Sequence, residues 1–336
     1  LELVTKEIDT NQVELYLTIK FGEQWVNILN GRVKFGLKGG ELKLSLENCA
    51  FAEAEEIISD DLHLDISPDY LTYYFTGYKN VVLDSALNQV KLGTINITAQ
   101  PYFLEASFNL SLANICLTSA EGLWKHDITP NKHGILDRKL ALFLLAKCSQ
   151  PAICFYKISS EDCEPNSAIS SEVDYHNLQK MMEKITQANT DNLLELAELA
   201  GLNPSDDFAG ANFLGTDLSG LDLSGNNLEY INLRGAVLTD VDLSEANLSH
   251  AKLSGADLSG AFLENANLSY ADLHCASLAL VNLIGVNLTG AVLTETNLTN
   301  ANLSGAILDG VTFGGNQGIS EELRSTLLAK GARLKF

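Results

Sequence analysis

Acid–base and metal chemistry runs mainly through histidine, cysteine and carboxylate, and the chain has two gatherings of such groups. His63 and Asp65, two residues apart, belong to one face of a strand; Glu121, His126, Asp127, His133 and Asp137 collect around a turn. Neither gathering has a recognised metal-ligand spacing or a nucleophile motif. The chain contains no P-loop, no G-x-G-x-x-G, no G-x-S-x-G and no H-E-x-x-H. Its six cysteines (Cys49, Cys116, Cys148, Cys154, Cys163 and Cys275) form no C-x-x-C pair, which argues against zinc ribbons and thioredoxin-like chemistry. They read as reduced thiols, with a Cys148–Cys154 disulfide as the alternative. Surface polar residues are the plainer reading of both gatherings, so no catalytic, cofactor-binding or metal-binding residue is assigned. Catalysis would require His126, Asp127 and His133 to converge within hydrogen-bond reach.

The elements that must position any such groups are dominated by a period of five. Leu or Phe stands at Phe208, Phe213, Leu218 and every fifth residue to Phe313, 22 positions without a break. A helix repeats its apolar face at about 3.6 residues and a strand at about 2, so a spacing of five requires a corner in every unit. Two residues before the Leu or Phe, Ala, Val or Thr fills 18 of the 22 units, and both positions therefore point inward. Asp or Asn lies between them in 15 units, Ser or Thr follows in 12, and the fifth residue is Gly in 12, which makes an outward face and a turn. Exceptions at the small inward position cluster early, at Asp206, Leu221, Asn226 and Ile231, and predict a distorted or wider start.

Units such as Ala246-Asn247-Leu248, Ala271-Asp272-Leu273 and Ala301-Asn302-Leu303 resemble the Ala-Asp/Asn-Leu-x-x unit of the pentapeptide repeat family, over about a third of the chain. The resemblance implies a right-handed quadrilateral β-helix, a solenoid with four repeats per coil. Leu and Ala would fill its bore while successive coils pair at about 4.8 Å. Many members occur in cyanobacteria and most have no established biochemical activity. Some resemble duplex DNA in width and acidity and bind gyrase as dimers.

With four repeats per coil, residues 20 apart share a face. Asn227, Asn247, Asn267 and Asn287 then form a ladder, read as structural. Tyr230, His250 and Tyr270 form a column of corners that continues as Gly290 and Gly310, and it offers an apolar edge to a partner. Drift at tolerant corners is the plainer alternative. Val237, Phe262, Val292 and Ile307 break the outward Asp/Asn habit on four different faces. Phe262, the only large one, joins Tyr230, His250 and Tyr270 as a candidate partner-binding residue.

Outside the repeats the pattern is mainly β. Val13, Leu15, Leu17, Ile19 and Phe21 alternate with polar residues as in a half-buried strand. Gly39-Gly40 between Val33–Leu37 and Leu42–Leu46 predicts a two-residue hairpin that places Leu37 opposite Leu42. Further strands are expected at 62–66, 71–76, 89–98 and 107–117, with a bulge at Gly93. Four regions follow: 1–160, an antiparallel β-sandwich or barrel-like domain with one helix near 135–147; 161–205, a linker and N-terminal capping helices; 206–315, the repeats; and 316–336, a C-terminal capping helix and tail, with Leu323, Leu327 and Leu328 turned inward.

At 336 residues and 46% hydrophobic the chain can bury substantial cores, and its net charge is −21. Residues 206–315 hold 13 acidic residues against 2 basic ones, a balance that repels nucleic acid and disfavours direct binding to it. No apolar run is long enough to cross a bilayer. A cytoplasmic location is expected; because the sequence starts at Leu1 rather than Met, a targeting segment removed ahead of it would make the location exported or lumenal. The expected function is non-enzymatic protein–protein interaction or scaffolding, with an unidentified protein or a second copy of the chain as partner. A DNA-mimicking topoisomerase modulator is the alternative, and an enzyme with its site in the N-terminal domain is a second.

Overall fold

A computed structural model describes residues 2–54, 62–66, 70–76, 82–84, 86–99, 102–124, 127–148, 155–159 and 175–335. Two compact units emerge: Leu1–Leu123 with Ala141–Val173, and Trp124–Leu140 with Asp174–Phe336.

The first unit is built of antiparallel strands: β1 (Glu2–Asp9), β2 (Gln12–Lys20), β3 (Gln24–Ile28), β4 (Gly31–Leu37), β5 (Gly39–Glu47), β6 (Cys49–Ala54), β7 (Leu62–Ile66), β8 (Tyr70–Thr76), β9 (Ala86–Ile97), β10 (Phe103–Asn109), β11 (Ile115–Glu121) and β12 (Phe155–Ser159). They pair in the orders β1-β2-β9-β6, β12-β10-β5-β8-β7 and β11-β4-β3. Along β2, Val13, Leu15, Leu17 and Ile19 are buried while their neighbours are not, as their alternation predicts. They meet Leu42 and Leu44 of β5, Tyr73 and Phe75 of β8, Leu92 and Ile95 of β9, and Leu104, Ala106 and Phe108 of β10, so the two larger sheets contribute to one core. Phe21, Phe75 and Phe108 interlock there at tilted angles, with centroids 5.3 to 6.0 Å apart. Beside Gly93, the β2–β9 register steps from Leu15 opposite Gly93 to Tyr16 opposite Lys91, the expected bulge.

The expected hairpin at Gly39-Gly40 does not form. Strand β4 pairs with β3 and β11, whereas β5 pairs with β8 and β10, in a different sheet. Both glycines lie inside β5, with Gly39 opposite Thr76 and Gly40 opposite Phe75. A Cβ on Gly40 would come within 2.6 Å of the Phe108 ring, so close approach rather than a turn selects glycine here. The tight connection in this region is instead β3–β4, where Ile28 faces Gly31 and Leu29 takes φ 52°.

In the second unit, α1 (Pro130–Cys148) begins five residues before its expected start, and its first half, through Leu140, belongs here. Thr129 precedes Pro130 at the first helical position, the place where a missing N–H costs nothing. Next come α2 (Tyr175–Gln187), α3 (Leu193–Leu199) and α4 (Pro204–Asp207). Asn192 caps α3 by accepting from the Leu194 and Glu195 amides. Asp206 lies in α4, so the first inward position of the repeat pattern is taken by a helical turn. Asn226 accepts from the Ser205 hydroxyl at 2.9 Å, which accounts for a polar residue at that inward position.

From Phe208 to Phe313 the chain is a β-helix. Parallel bridges join residues 20 apart, from Asn212–Asn232 through Asn297–Gln317, so one coil consumes four five-residue units. Every fifth Leu or Phe is buried apart from the half-buried Leu303. Two three-residue strands, β13 (Val292–Thr294) and β14 (Thr312–Gly314), belong to the last coils.

At both ends of the β-helix, other elements supply partners for backbone groups of the terminal coils. At the start, the Asn131 side chain of α1 donates to the Asp217 carbonyl and accepts from the Asp217 amide, both at 2.8 Å, reproducing the peptide group of an absent preceding coil. The buried Arg138 donates to the carbonyls of Asp207 and Ala209. Its burial pulls the pKa down to about 9, so it stays charged at neutral pH. A Cβ on Gly134 would lie 2.6 Å from the Phe213 ring, which explains a glycine inside a helix. At the other end, α5 (Glu321–Ala329) leads into β15 (Arg333–Leu334), which pairs in parallel with β14. Leu327 is buried, but Leu328 is 44% exposed, contrary to the inward stripe expected, because β15 rather than the full helix face covers the last coil.

Candidate functional site

The fifth residue of every unit sits in the left-handed region. Gly215, Gly220 and Gly255 have φ 65–69°, and the non-glycine residues Tyr230, His250 and Tyr270 have φ 58–59°. Glycine takes this conformation freely, while a residue with a Cβ pays about 1 kcal/mol for it. Three successive coils therefore hold bulky rings where the backbone favours no side chain.

The coil ladder positions those rings: the amides of Tyr230, His250 and Tyr270 donate to the carbonyls of Ser249, Ser269 and Thr289 at 2.8–3.0 Å. The rings stack face to face, Tyr230 on His250 at 4.8 Å and 14°, and His250 on Tyr270 at 5.1 Å and 10°. Below them, a Cβ on Gly290 would lie 2.7 Å from the Tyr270 ring, so that ring lies over the next corner. Tyr230 and His250 are half-buried, whereas Tyr270 is 58% exposed. Burial pushes the His250 pKa down, outweighing the nearby Glu229 carboxylate, and pushes the Tyr230 phenol up. The histidine is therefore neutral at pH 7 and stacks as an uncharged ring.

Phe262, in the column Asp242–Phe262–Asn282, is 50% exposed and lies outside the ring column. Of four other candidates for chemistry, only His133 and Asp137 come together. Glu121 pairs with Arg32 at 2.7 Å, and Asp127 is exposed. His133 and Asp137 meet one turn apart on α1 at 3.3 Å, with His133 raised by that carboxylate and Asp137 raised by its burial. Asp137 also bonds to Asn212 of the first coil, so the pair joins α1 to the β-helix. His126, the side chains of His63 and Asp65, and the Cys148–Cys154 pairing lie outside the described residues.

The asparagine ladder is structural. Each Nδ2 donates to the Oδ1 one coil earlier, at 3.4, 3.1 and 3.2 Å from Asn247, Asn267 and Asn287. Outward aspartates serve the turns in a related way: Asp217 and Asp222 accept from the hydroxyl and amide of the serine two residues on, and the serine hydroxyl bonds chiefly hold both pKa values down. One grouping escaped the sequence reading. His274, Cys275 and Glu295 converge at the corner that follows the ring column, and the signal was there in the 20-residue spacing of Cys275 and Glu295.

Among the described residues, no helix is long and apolar enough to cross a membrane. Residues 207–315 match the family model described as pentapeptide repeats, in overlapping segments 207–240, 216–255, 246–283 and 276–315. No curated protein matches the chain. Among solved structures, a pentapeptide repeat protein from the Arabidopsis thaliana thylakoid lumen is 34% identical, with 35% of this chain and 80% of that chain covered and a TM-score of 0.29. Rfr23, a pentapeptide repeat protein of the cyanobacterium Cyanothece 51142, is 29% identical, with 32% and 90% covered and a TM-score of 0.29. QnrB1, a plasmid-mediated fluoroquinolone resistance protein, is 19% identical, with 35% and 84% covered and a TM-score of 0.21.

Proposed function

We propose that this chain, whose residues 207–315 match the pentapeptide repeat family model, is a non-enzymatic interaction protein whose right-handed quadrilateral β-helix presents a rigid surface to a protein partner. The observation that carries this reading is the stacked column Tyr230–His250–Tyr270 at three left-handed corners. Local strain retained in three consecutive coils, ending in an exposed Tyr270, fits a surface kept for contact. Rings already stacked on a hydrogen-bonded backbone lose little freedom on binding, so their area converts efficiently into affinity. Phe262 adds a separate exposed apolar group on another face. The proposal includes a cytoplasmic location, supported by the free thiols of Cys116 and Cys275.

The test uses the full chain as bait in native lysate beside a Tyr230→Ala/Tyr270→Ala variant. A partner retained by the parent and lost by the variant, with stability within about 1 kcal/mol, supports the ring column. Equal retention by both would remove the column from the reading.

Modulation of a topoisomerase by imitation of DNA is the second reading, favoured by the 13 acidic residues of the repeats. Several of those carboxylates are engaged in turns, as at Asp217, Asp222 and Asp257, which leaves them oriented by the protein rather than free to match a phosphate track. A gyrase supercoiling assay with the full chain distinguishes the two readings.

A further inference from the structure

The corner one unit after the ring column brings together three side chains of different ligand chemistry. His274 follows the inward Leu273, Cys275 is the corner itself, and Glu295 is the corner one coil later. The Cys275 amide donates to the Thr294 carbonyl at 3.0 Å, and the Glu295 amide to the Gly314 carbonyl at 2.7 Å, so the ladder holds both corners. Cys275 Sγ lies 3.3 Å from His274 Nε2 and 3.6 Å from Glu295 Oε2, and the ligand atoms all fall within 4.8 Å of one another. Around a tetrahedral zinc ion with ordinary bond lengths, such donors stand about 3.3–3.6 Å apart. The separations of Cys275 Sγ from His274 Nε2 and from Glu295 Oε2 both fall in that range.

The histidine is also oriented from behind. Its Nδ1 lies 3.1 Å from the Thr294 carbonyl oxygen and 2.9 Å from the Thr294 hydroxyl. A carbonyl only accepts, so Nδ1 carries the proton and Nε2 presents its lone pair toward Cys275. A nitrogen, a sulfur and a carboxylate oxygen form a mixed set suited to a borderline ion rather than to calcium or magnesium, which take oxygen alone. Cys275 and Glu295 are exposed, so a fourth position is open to water.

We infer that His274 Nε2, Cys275 Sγ and the Glu295 carboxylate form a surface site for a divalent transition-metal ion, zinc by preference. Binding breaks the Cys275 S–H bond, forms a metal–sulfur bond and releases one proton to solvent. The neutral imidazole, thiolate and carboxylate then balance the charge of the ion.

The test is titration of the full chain with cobalt(II) alone, followed by zinc competition. The expected result is one cobalt per chain with thiolate-to-cobalt charge-transfer absorption, displaced by zinc. In C275S that absorption disappears, and in H274A and E295Q zinc affinity falls at least about tenfold. T294V keeps all three ligands but loses the hydroxyl behind His274, and weakens zinc severalfold. Absence of charge transfer in the parent, or its persistence in C275S, would overturn the site. Should C275S fail to fold, H274A decides, because His274 is off the corner; unchanged zinc affinity there is equally fatal.

Discussion

His250 shows how a side chain's neighbours set its chemistry. Flanked by the rings of Tyr230 and Tyr270, it is desolvated and its pKa lies below 6.5, with Glu229 opposing the shift. The unfolded chain therefore binds more protons than the folded one as pH falls through about 6.5, and folding stability declines over that window before levelling off below the folded pKa. The expected outcome is a melting temperature that falls between about pH 7.5 and 5 by more in the parent than in His250→Gln. Identical slopes in the two proteins would mean that the ring is not held neutral by the stack. His133 runs in the opposite direction, since Asp137 raises its pKa, and so only the difference between parent and variant isolates His250.

At the scale of the element, the β-helix is a ladder whose inward Leu column tolerates no charge. Leu253 is wholly buried, one coil from Leu233 and Leu273, and Leu253→Asp would put an unpaired carboxylate among them at a cost of several kcal/mol. Loss of hydrogen-exchange protection in the amides of residues 236–275 is the expected result. Retained protection would contradict the inward assignment. The capping elements obey a different logic, because a ladder's first and last coils have peptide groups with no neighbour. Asn131 and Arg138 answer that need at one end and β15 at the other. Neither side chain advertises the role locally: an asparagine in the first turn of a helix reads as surface, and a buried arginine is unexpected on any pattern.

For the whole molecule, a charge of −21 and repeats with 13 acidic against 2 basic residues predict that the full chain gives no mobility shift of duplex DNA at about 0.15 M salt. A retarded band would move the partner from protein to nucleic acid. The sequence by itself determined the β-helix, its inward and outward positions and the ring column, because each unit repeats the same short-range information and any one coil's register follows from the last. It also determined the buried face of β2, where alternation is local. Only the tertiary structure decided that β4 and β5 part into different sheets, that the first half of α1 belongs with the repeats, and that Glu295 stands beside His274 and Cys275. Those outcomes depend on which distant surfaces match in shape and which backbone groups still need partners, and no local period encodes either.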